Sequence, residues 1–293
     1  MIAGNANNAH RNESVALALL KSASAFFIVS IVVLLGYLTF EGTKLFTVDH
    51  KSIFEFLFSP TFSPDTGQVG AAPFILGSLF VTGFAIAVGG PFGLAVGVFF
   101  SELAPPRVAA AMKPAIEVLV GIPSVVYGWL GLTLLVPLIR NMTGSTGFGL
   151  LSAGIVLSLM ILPTVISLAE DAMRVVPNSL REGSLALGAT RWETISRVLV
   201  PAARSGLAVA VILGIARAIG EALAIQMVLG NSPTIPHGLL NAASALTSEI
   251  VMDMGGAIQG SVTQHALFSM ALLLLLIAMS LIVLVKFVVR RAT

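Results

Sequence analysis

The stretch from Glu170 to Leu207, EDAMRVVPNSLREGSLALGATRWETISRVLVPAARSGL, decides how the rest of the chain is read. It is a polar segment carrying Arg174, Arg181, Arg191, Arg197 and Arg204 between two long apolar runs. At roughly 37 residues it is long for a connection, and such lengths belong to structured or functional segments more than to linkers. Its punctuation is ordered. Asn178 or Ser179 is placed to cap a helix beginning near Leu180, with Glu182 close to the positive end, and Gly188 is placed to end that helix in a left-handed conformation. Thr190 then opens a second helix, Glu193 three residues on completes a capping box, and Pro201 stops it. The expectation is a short helix, a glycine corner and a longer helix. Left to its own composition, such a unit is an amphipathic hairpin with arginines facing lipid headgroups, or a docking element for a soluble partner.

Outside this stretch the chain is apolar. Of 293 residues, 56% are hydrophobic and only 10% charged, against about a quarter charged in soluble domains. Mean hydropathy is +0.98. Crossing a bilayer takes roughly 20 mostly apolar residues as a helix. Six runs qualify, near 22–40, 74–100, 118–139, 149–168, 206–229 and 266–285. The fold class expected is all-α: a polytopic membrane protein of six transmembrane helices, with a cytoplasmic N-terminal segment 1–21, a six-span domain 22–293 and a cytoplasmic loop 173–204. The polar start and the length of the first apolar run do not suit a cleaved signal, so the first helix is expected to remain in the mature protein.

Lysine and arginine collect on the retained side of a membrane. One side of this chain holds Arg11, Lys21, Arg107, Lys113, the five arginines of the quoted segment, Lys286, Arg290 and Arg291, and the other only Lys44, Lys51 and Arg140. Both termini are therefore expected in the cytoplasm. Two outer segments remain. In the first, SIFEFLFSPTFSPDTG (52–67) suits an interfacial turn, as a membrane anchor or a partner contact, before Pro64 and Gly67 break it. The second, 231–265, opens with NSPTIP, whose two prolines stop the fifth helix; the segment either caps a pathway or only connects. Pro91, Pro123 and Pro163 fall inside spans and invite kinks. Gly89, Gly93 and Gly97 lay a smooth stripe along one helix face, for ordinary packing, for a path lining or for a contact between subunits. No internal repeat stands out.

Several chemistries are excluded. No lysine follows a glycine, so the chain has no phosphate-cradling GxxxxGK[ST] loop. Cysteine is absent, and His10, His50, His237 and His265 lack ligand spacing, so no metal site is expected. A net charge of +2 does not suit nucleic-acid binding. Glu170 and Asp171 are adjacent and do not face each other on a helix, so they suit ion pairs with nearby arginines better than acid–base work. Glu117, four residues from Lys113, suits a local pair or snorkelling at the cytoplasmic interface.

Arg217 is the most informative residue. It lies about twelve residues into the fifth apolar run, or about 18 Å deep at 1.5 Å per residue, close to the midplane. An arginine there costs about 2.5–3.5 kcal/mol on insertion scales and must face protein or water. On a continuous helix Glu221 shares its face one turn further out. The two either neutralise each other and order the bundle, or form an anion site in which Glu221 holds Arg217 until substrate arrives. A guanidinium presents planar donors matching phosphate oxygens and keeps its charge at physiological pH. On the third span, hydroxyls of Ser124 and Tyr127, near Trp129, either face the same path or anchor packing and interfaces.

The quoted loop also carries a resemblance. Glu182, Gly183, Ser184, Gly188, Val198, Val200 and Pro201 reproduce the spacing of the EAA loop of ABC importer permeases, with Gly183 and Ser184 in place of two alanines. EVLVGIPSVVYGWLGL (117–132) and ARAIGEALAIQMVLGN (216–231) narrow the likeness to permeases of the phosphate-specific ABC importer, more its C-type than its A-type subunit. That family implies a type I ABC importer permease fold in a prokaryotic plasma (inner) membrane and transport of inorganic phosphate by alternating access. It implies a heterodimer with a second related permease, two copies of a cytoplasmic ATPase and an extracytoplasmic phosphate-binding protein. It also implies that Glu182, Gly183, Ser184 and Gly188 couple to the ATPase and that Arg217 and Glu221 line the path. ATP and Mg would be used by the ATPase; this chain would bind no cofactor and be no enzyme. The rivals are a permease for another oxyanion, molybdate or sulfate, and a motor-independent secondary transporter in which Glu221 carries protons.

Overall fold

The computed structural model describes residues 3–292; the side chains of 3–15, 285 and 288–292 are not among those described, so Arg11, Arg290 and Arg291 of the charge count lie outside the described residues. The chain is helical almost throughout. Helix α1 (Ala3–Thr47) is followed by α2 (Ile53–Phe58), a two-residue hairpin of β1 (Phe62–Ser63) and β2 (Gln68–Val69), and α3 (Ala72–Glu102). Then come α4 (Pro106–Gly121), α5 (Ser124–Leu130), a π-turn at Gly131–Leu135, α6 (Val136–Thr143) and α7 (Leu150–Arg174). The polar segment quoted above supplies α8 (Asn178–Ala186), α9 (Arg191–Thr194), a second π-turn at Ile195–Leu199 and α10 (Val200–Ala202). The chain closes with α11 (Arg204–Ile219), α12 (Leu223–Leu229), α13 (Leu246–Asp253) and α14 (Val262–Ala292).

Among the described residues, five helical stretches are long and apolar enough to cross a bilayer: Ala16–Thr47, Ala72–Glu102, Ser124–Thr143, Leu150–Arg174 and Val262–Leu284. The segment expected as 1–21 is not separate, because α1 runs unbroken from Ala3 into the first span. The third span starts later than its apolar run suggested. Pro123 does not kink a continuous helix but ends α4: Ile122 is extended at φ −67°, ψ 127°, as a residue before proline prefers, and a new helix begins at Ser124. The fifth run is divided into α11 and α12, so no single helix there reaches the required length. Joining Arg191–Ala202 to α11 would make a sixth candidate, but the two meet at 71° and the first carries Arg191, Glu193 and Arg197. That piece is a surface arm, and the fifth crossing is α11 continued by α12.

The core is the contact of α3 with α7. Without water to expel from between apolar surfaces in lipid, helices associate through close packing, which small residues permit. The glycine stripe serves that purpose. A methyl group built on Gly93 would lie 2.7 Å from Val165 Cγ1, and one on Gly97 2.6 Å from Ala169 Cβ. The stripe is therefore a face packed inside this chain. Pro163 lies within α7 without ending it. Outside the membrane, α2 buries Phe56 against Phe46 while Phe54 and Phe58 stay exposed. The fifth crossing stops earlier than its prolines suggest, at Gly230 (φ +96°) and Asn231 (φ +49°), both left-handed.

The outer segment 231–265 is folded onto the bundle. Asp49 after α1 pairs with His265 at the start of α14, 2.7 Å apart. On α13, Glu249 is buried, accepts a hydrogen bond from Ser244 Oγ at 2.8 Å, and has its carboxyl pushed up from 4.5 to about 7. Burial is the main cause; Asp253 adds to it and the Ser244 bond opposes it. The folded chain thus holds a proton that the unfolded chain releases. Stability is full below the ordinary glutamate range and is lost as pH rises through about 7. The detergent-solubilised protein should melt at a falling temperature from about pH 5 to about pH 8, and Glu249→Gln should flatten that profile by removing the titration.

Candidate functional site

The polar segment between the fourth and fifth crossings folds largely as its caps dictate. Thr190 accepts from Glu193 N while Glu193 accepts from the Thr190 backbone and hydroxyl, completing the capping box, and these bonds hold the Glu193 carboxyl below the usual range. Gly188 sits at φ +86°, the left-handed corner between α8 and α9. The expected cap at Asn178 or Ser179 does not form: α8 begins at Asn178 itself, behind Pro177, with no side-chain cap. The helix does break beside Pro201, between Ala202 and Arg204.

On α8, Glu182 and Gly183 are exposed while Ser184 is half-buried and shares a hydrogen bond of 3.0 Å with Thr194. The unit leaves Leu180, Leu185, Leu187 and Trp192 exposed, Leu187 at 90%. An apolar rim beside a charged helix is a surface suited to another protein. The corner is a sharp test of it. A side chain at Gly188 would meet nothing within 4 Å, so Gly188→Val acts only through the backbone, where the left-handed region costs about 1–2 kcal/mol. The expected result is a chain that accumulates normally but loses most of the soluble protein that seats on this surface, measured by co-purification.

Within the membrane the fifth crossing is broken at its charged residues. Arg217 lies in the last turn of α11, and Gly220–Ala222 separate it from α12. Non-helical backbone at this depth is tolerated only where protein or a cavity satisfies it. Thr247 Oγ1 donates to the Glu221 carbonyl at 2.7 Å, and Glu221 Oε1 accepts from Ala224 N at 3.1 Å. Glu221 is therefore a cap on α12. The expected partnership of Glu221 with Arg217 is not formed, because it presumed a continuous helix; no ion pair joins them among the described residues. Arg217 Nη1 instead donates to Thr164 Oγ1 on α7 at 2.9 Å. Thr164 was not foreseen, since 53 positions separate it from Arg217 and no local pattern links them.

Tyr127 stands near enough to Arg217 to interact with its charge, and its hydroxyl donates to the Leu119 carbonyl at 2.9 Å, bridging the break before α5. Ser124 opens α5 half-buried. Gly128 lets α5 close on α12: a methyl there would lie 2.8 Å from Ala224 Cα. The structure thus joins Arg217 to Thr164, commits the Tyr127 hydroxyl to Leu119 and turns Glu221 to a capping task. At the cytoplasmic end, Glu170 pairs with Arg174 at 2.9 Å, as expected, and with Lys113 at 2.6 Å. Lys113 therefore does not serve Glu117, which stays exposed.

Long apolar helices, a capped polar unit between the fourth and fifth crossings and a fifth crossing broken beside a deep arginine describe a polytopic membrane protein. Residues 89–293 match the model of the family described as binding-protein-dependent transport system inner membrane component, and the chain belongs to that family. It is an ABC importer permease. It is 47% identical, over 90% of its length and 85% of the relative's, to the probable ABC transporter permease protein YqgH of Bacillus subtilis. It is 34% identical, over 80% of its length and 81% of the relative's, to the phosphate transport system permease protein PstC of Haemophilus influenzae. In fold it is similar to a permease of a bacterial alginate ABC transporter solved with its periplasmic protein, with TM-score 0.67 and 14% identity over 93% of this chain and 94% of that one. A chain of the inward-facing MetNI methionine ABC transporter gives TM-score 0.58 and 20% identity, covering 79% of this chain and all of that one.

Proposed function

We propose that this chain is the permease for inorganic phosphate in an ATP-driven importer of a prokaryotic inner membrane, both termini in the cytoplasm. The observation that carries the reading is the state of Arg217. A guanidinium near the midplane is held by a neutral hydroxyl, Thr164, and among the described residues no carboxylate forms an ion pair with it. An oxyanion is the ligand that answers such a charge with matching geometry. Similarity to PstC supports phosphate among oxyanions. The proposed assembly has a second related permease, two copies of a cytoplasmic ATPase seated on α8 and its apolar rim, and an external phosphate-binding protein. ATP and Mg belong to the ATPase; this chain contributes the path and the coupling.

In this reading substrate from the binding protein displaces Thr164 from Arg217, and the ATPase, pulling on Glu182–Gly188, rocks α11 with its neighbours to open the site inward. The test is uptake into vesicles bearing the whole transporter, with labelled phosphate, molybdate and sulfate offered separately and ATP present or absent. Phosphate alone, with ATP, should accumulate. Preference for molybdate or sulfate would reassign the substrate, and ATP-independent uptake would restore the secondary-transporter alternative.

A further inference from the structure

The cytoplasmic ends of α3 and α7 are joined to α8 by one side chain. Arg181 Nη2 donates to Glu102 Oε1 at 2.6 Å and Nε to Glu102 Oε2 at 3.0 Å, a two-pronged contact between residues 79 positions apart. The same guanidinium donates to the Val176 carbonyl at 2.6 Å, the Met173 carbonyl at 3.0 Å and Asn178 Oδ1 at 3.1 Å. Glu102 is the last residue of α3, Met173 lies in the last turn of α7, and Val176 follows just past its end. Ser101 Oγ completes the set by donating to Glu102 Oε1 at 2.9 Å. Every donor of the fork has an acceptor, and the Glu102 side chain is only 8% exposed.

The position matters as much as the strength. Arg181 precedes Glu182 on a nine-residue helix and is turned to the ends of α3 and α7, while Glu182 and Gly183 beside it and Leu187 just past the helix end are exposed. A surface ion pair adds little, but a fork of this kind fixes orientation, and removing one partner strands a poorly solvated charge. A helix held only by its connecting turns would swivel when pulled; held by this fork, it carries the ends of α3 and α7 with it. Those two helices form the core, and α7 carries Thr164.

We infer that the Arg181–Glu102 clasp is the joint through which movement of α8 is transmitted to α3 and α7, with Arg181 a positioning residue for transport and not a contact for substrate. The inference rests on α8 being the ATPase seat, so its test separates the two. The whole transporter is purified in wild-type form and with Arg181→Gln, Arg181→Lys, Glu102→Gln or Leu187→Asp. Co-purifying ATPase, ATP hydrolysis and labelled phosphate imported per ATP are measured in liposomes with binding protein. Arg181→Gln and Glu102→Gln should keep the ATPase bound and hydrolysing while import per ATP falls about tenfold or more, within the usual range of coupling energies. Arg181→Lys, which keeps the charge and loses the fork, should fall between these and wild type. Import and hydrolysis falling together at a constant ratio would overturn the proposal, and so would assembly failing in all three clasp variants, since the clasp would then be a folding element. Leu187→Asp should lose the ATPase; if it does not, the seat on α8 is wrong whatever the clasp variants do.

Discussion

Arg217→Gln should abolish phosphate import, lowering the initial uptake rate about a hundredfold or more, while the chain still assembles and the ATPase still turns over. The size follows from what is removed. Truncating one partner of a desolvated charge-assisted contact costs about 2–5 kcal/mol or more, and each 1.4 kcal/mol is about tenfold in an equilibrium constant. The loss should fall on transport and not on folding, because Arg217 has one hydrogen bond inside the chain, to Thr164, and no ion pair among the described residues. A membrane-buried arginine that served only the bundle would behave in the opposite way: replacing an insertion cost of about 2.5–3.5 kcal/mol with an apolar side chain would leave transport intact and raise stability. Uptake rate and melting temperature, measured together on Arg217→Gln and Arg217→Leu, distinguish the two. Normal transport by either variant would remove the anion-site reading.

The same residue marks the boundary of what the sequence discloses. That Arg217 is deep in the membrane follows from counting along an apolar run, and the permease class was implied by the resemblance that Glu182, Gly188 and Pro201 carry. Thr190 and Glu193 made a capping box visible because its partners are three residues apart. Local signals are legible because geometry over one helical turn is fixed. The pairing of Arg217 with Glu221 failed for that reason: the four-residue rule holds only while the helix continues, and Gly220–Ala222 interrupt it. A weak trace of the break was present in Gly220, a residue that destabilises a helix interior and here follows the last turn of α11 at φ −78°. Pro123 likewise marked a boundary at Ile122, which its predecessor's restricted backbone makes a new start more readily than a kink. Thr164 with Arg217 and Glu102 with Arg181 had no such trace, because only the packing of α3, α7 and α11 brings them within reach.

That packing is why Gly93→Leu should be the most damaging single change away from the charged residues. Val165, fully buried on α7, is clamped from two sides: a methyl on Gly93 of α3 would lie 2.7 Å from its Cγ1, and one on Gly214 of α11 2.9 Å from its Cγ2. Neither helix can retreat independently, since Gly89 and Gly97 fix the same approach along α3, within 3.0 Å of Ile161 Cδ1 and 2.6 Å of Ala169 Cβ. Overpacking a tight site costs about 1–3 kcal/mol even for small additions, and leucine adds a four-carbon side chain where one methyl already collides. The next residue to Val165 is Thr164, so any shift of α7 that relieves the clash also moves the hydroxyl holding Arg217. Gly93→Leu should therefore leave little folded permease in the membrane, whereas Gly83→Leu, on the same helix with nothing within 4 Å, should accumulate as wild type. Gly93→Ala should fall between them, and Val165→Ala in the same chain should restore part of its loss by vacating the contested volume. Membrane abundance and thermal stability of the four variants measure this directly; equal tolerance of leucine at positions 83 and 93 would mean that α3 and α7 do not approach as closely as the glycine stripe requires.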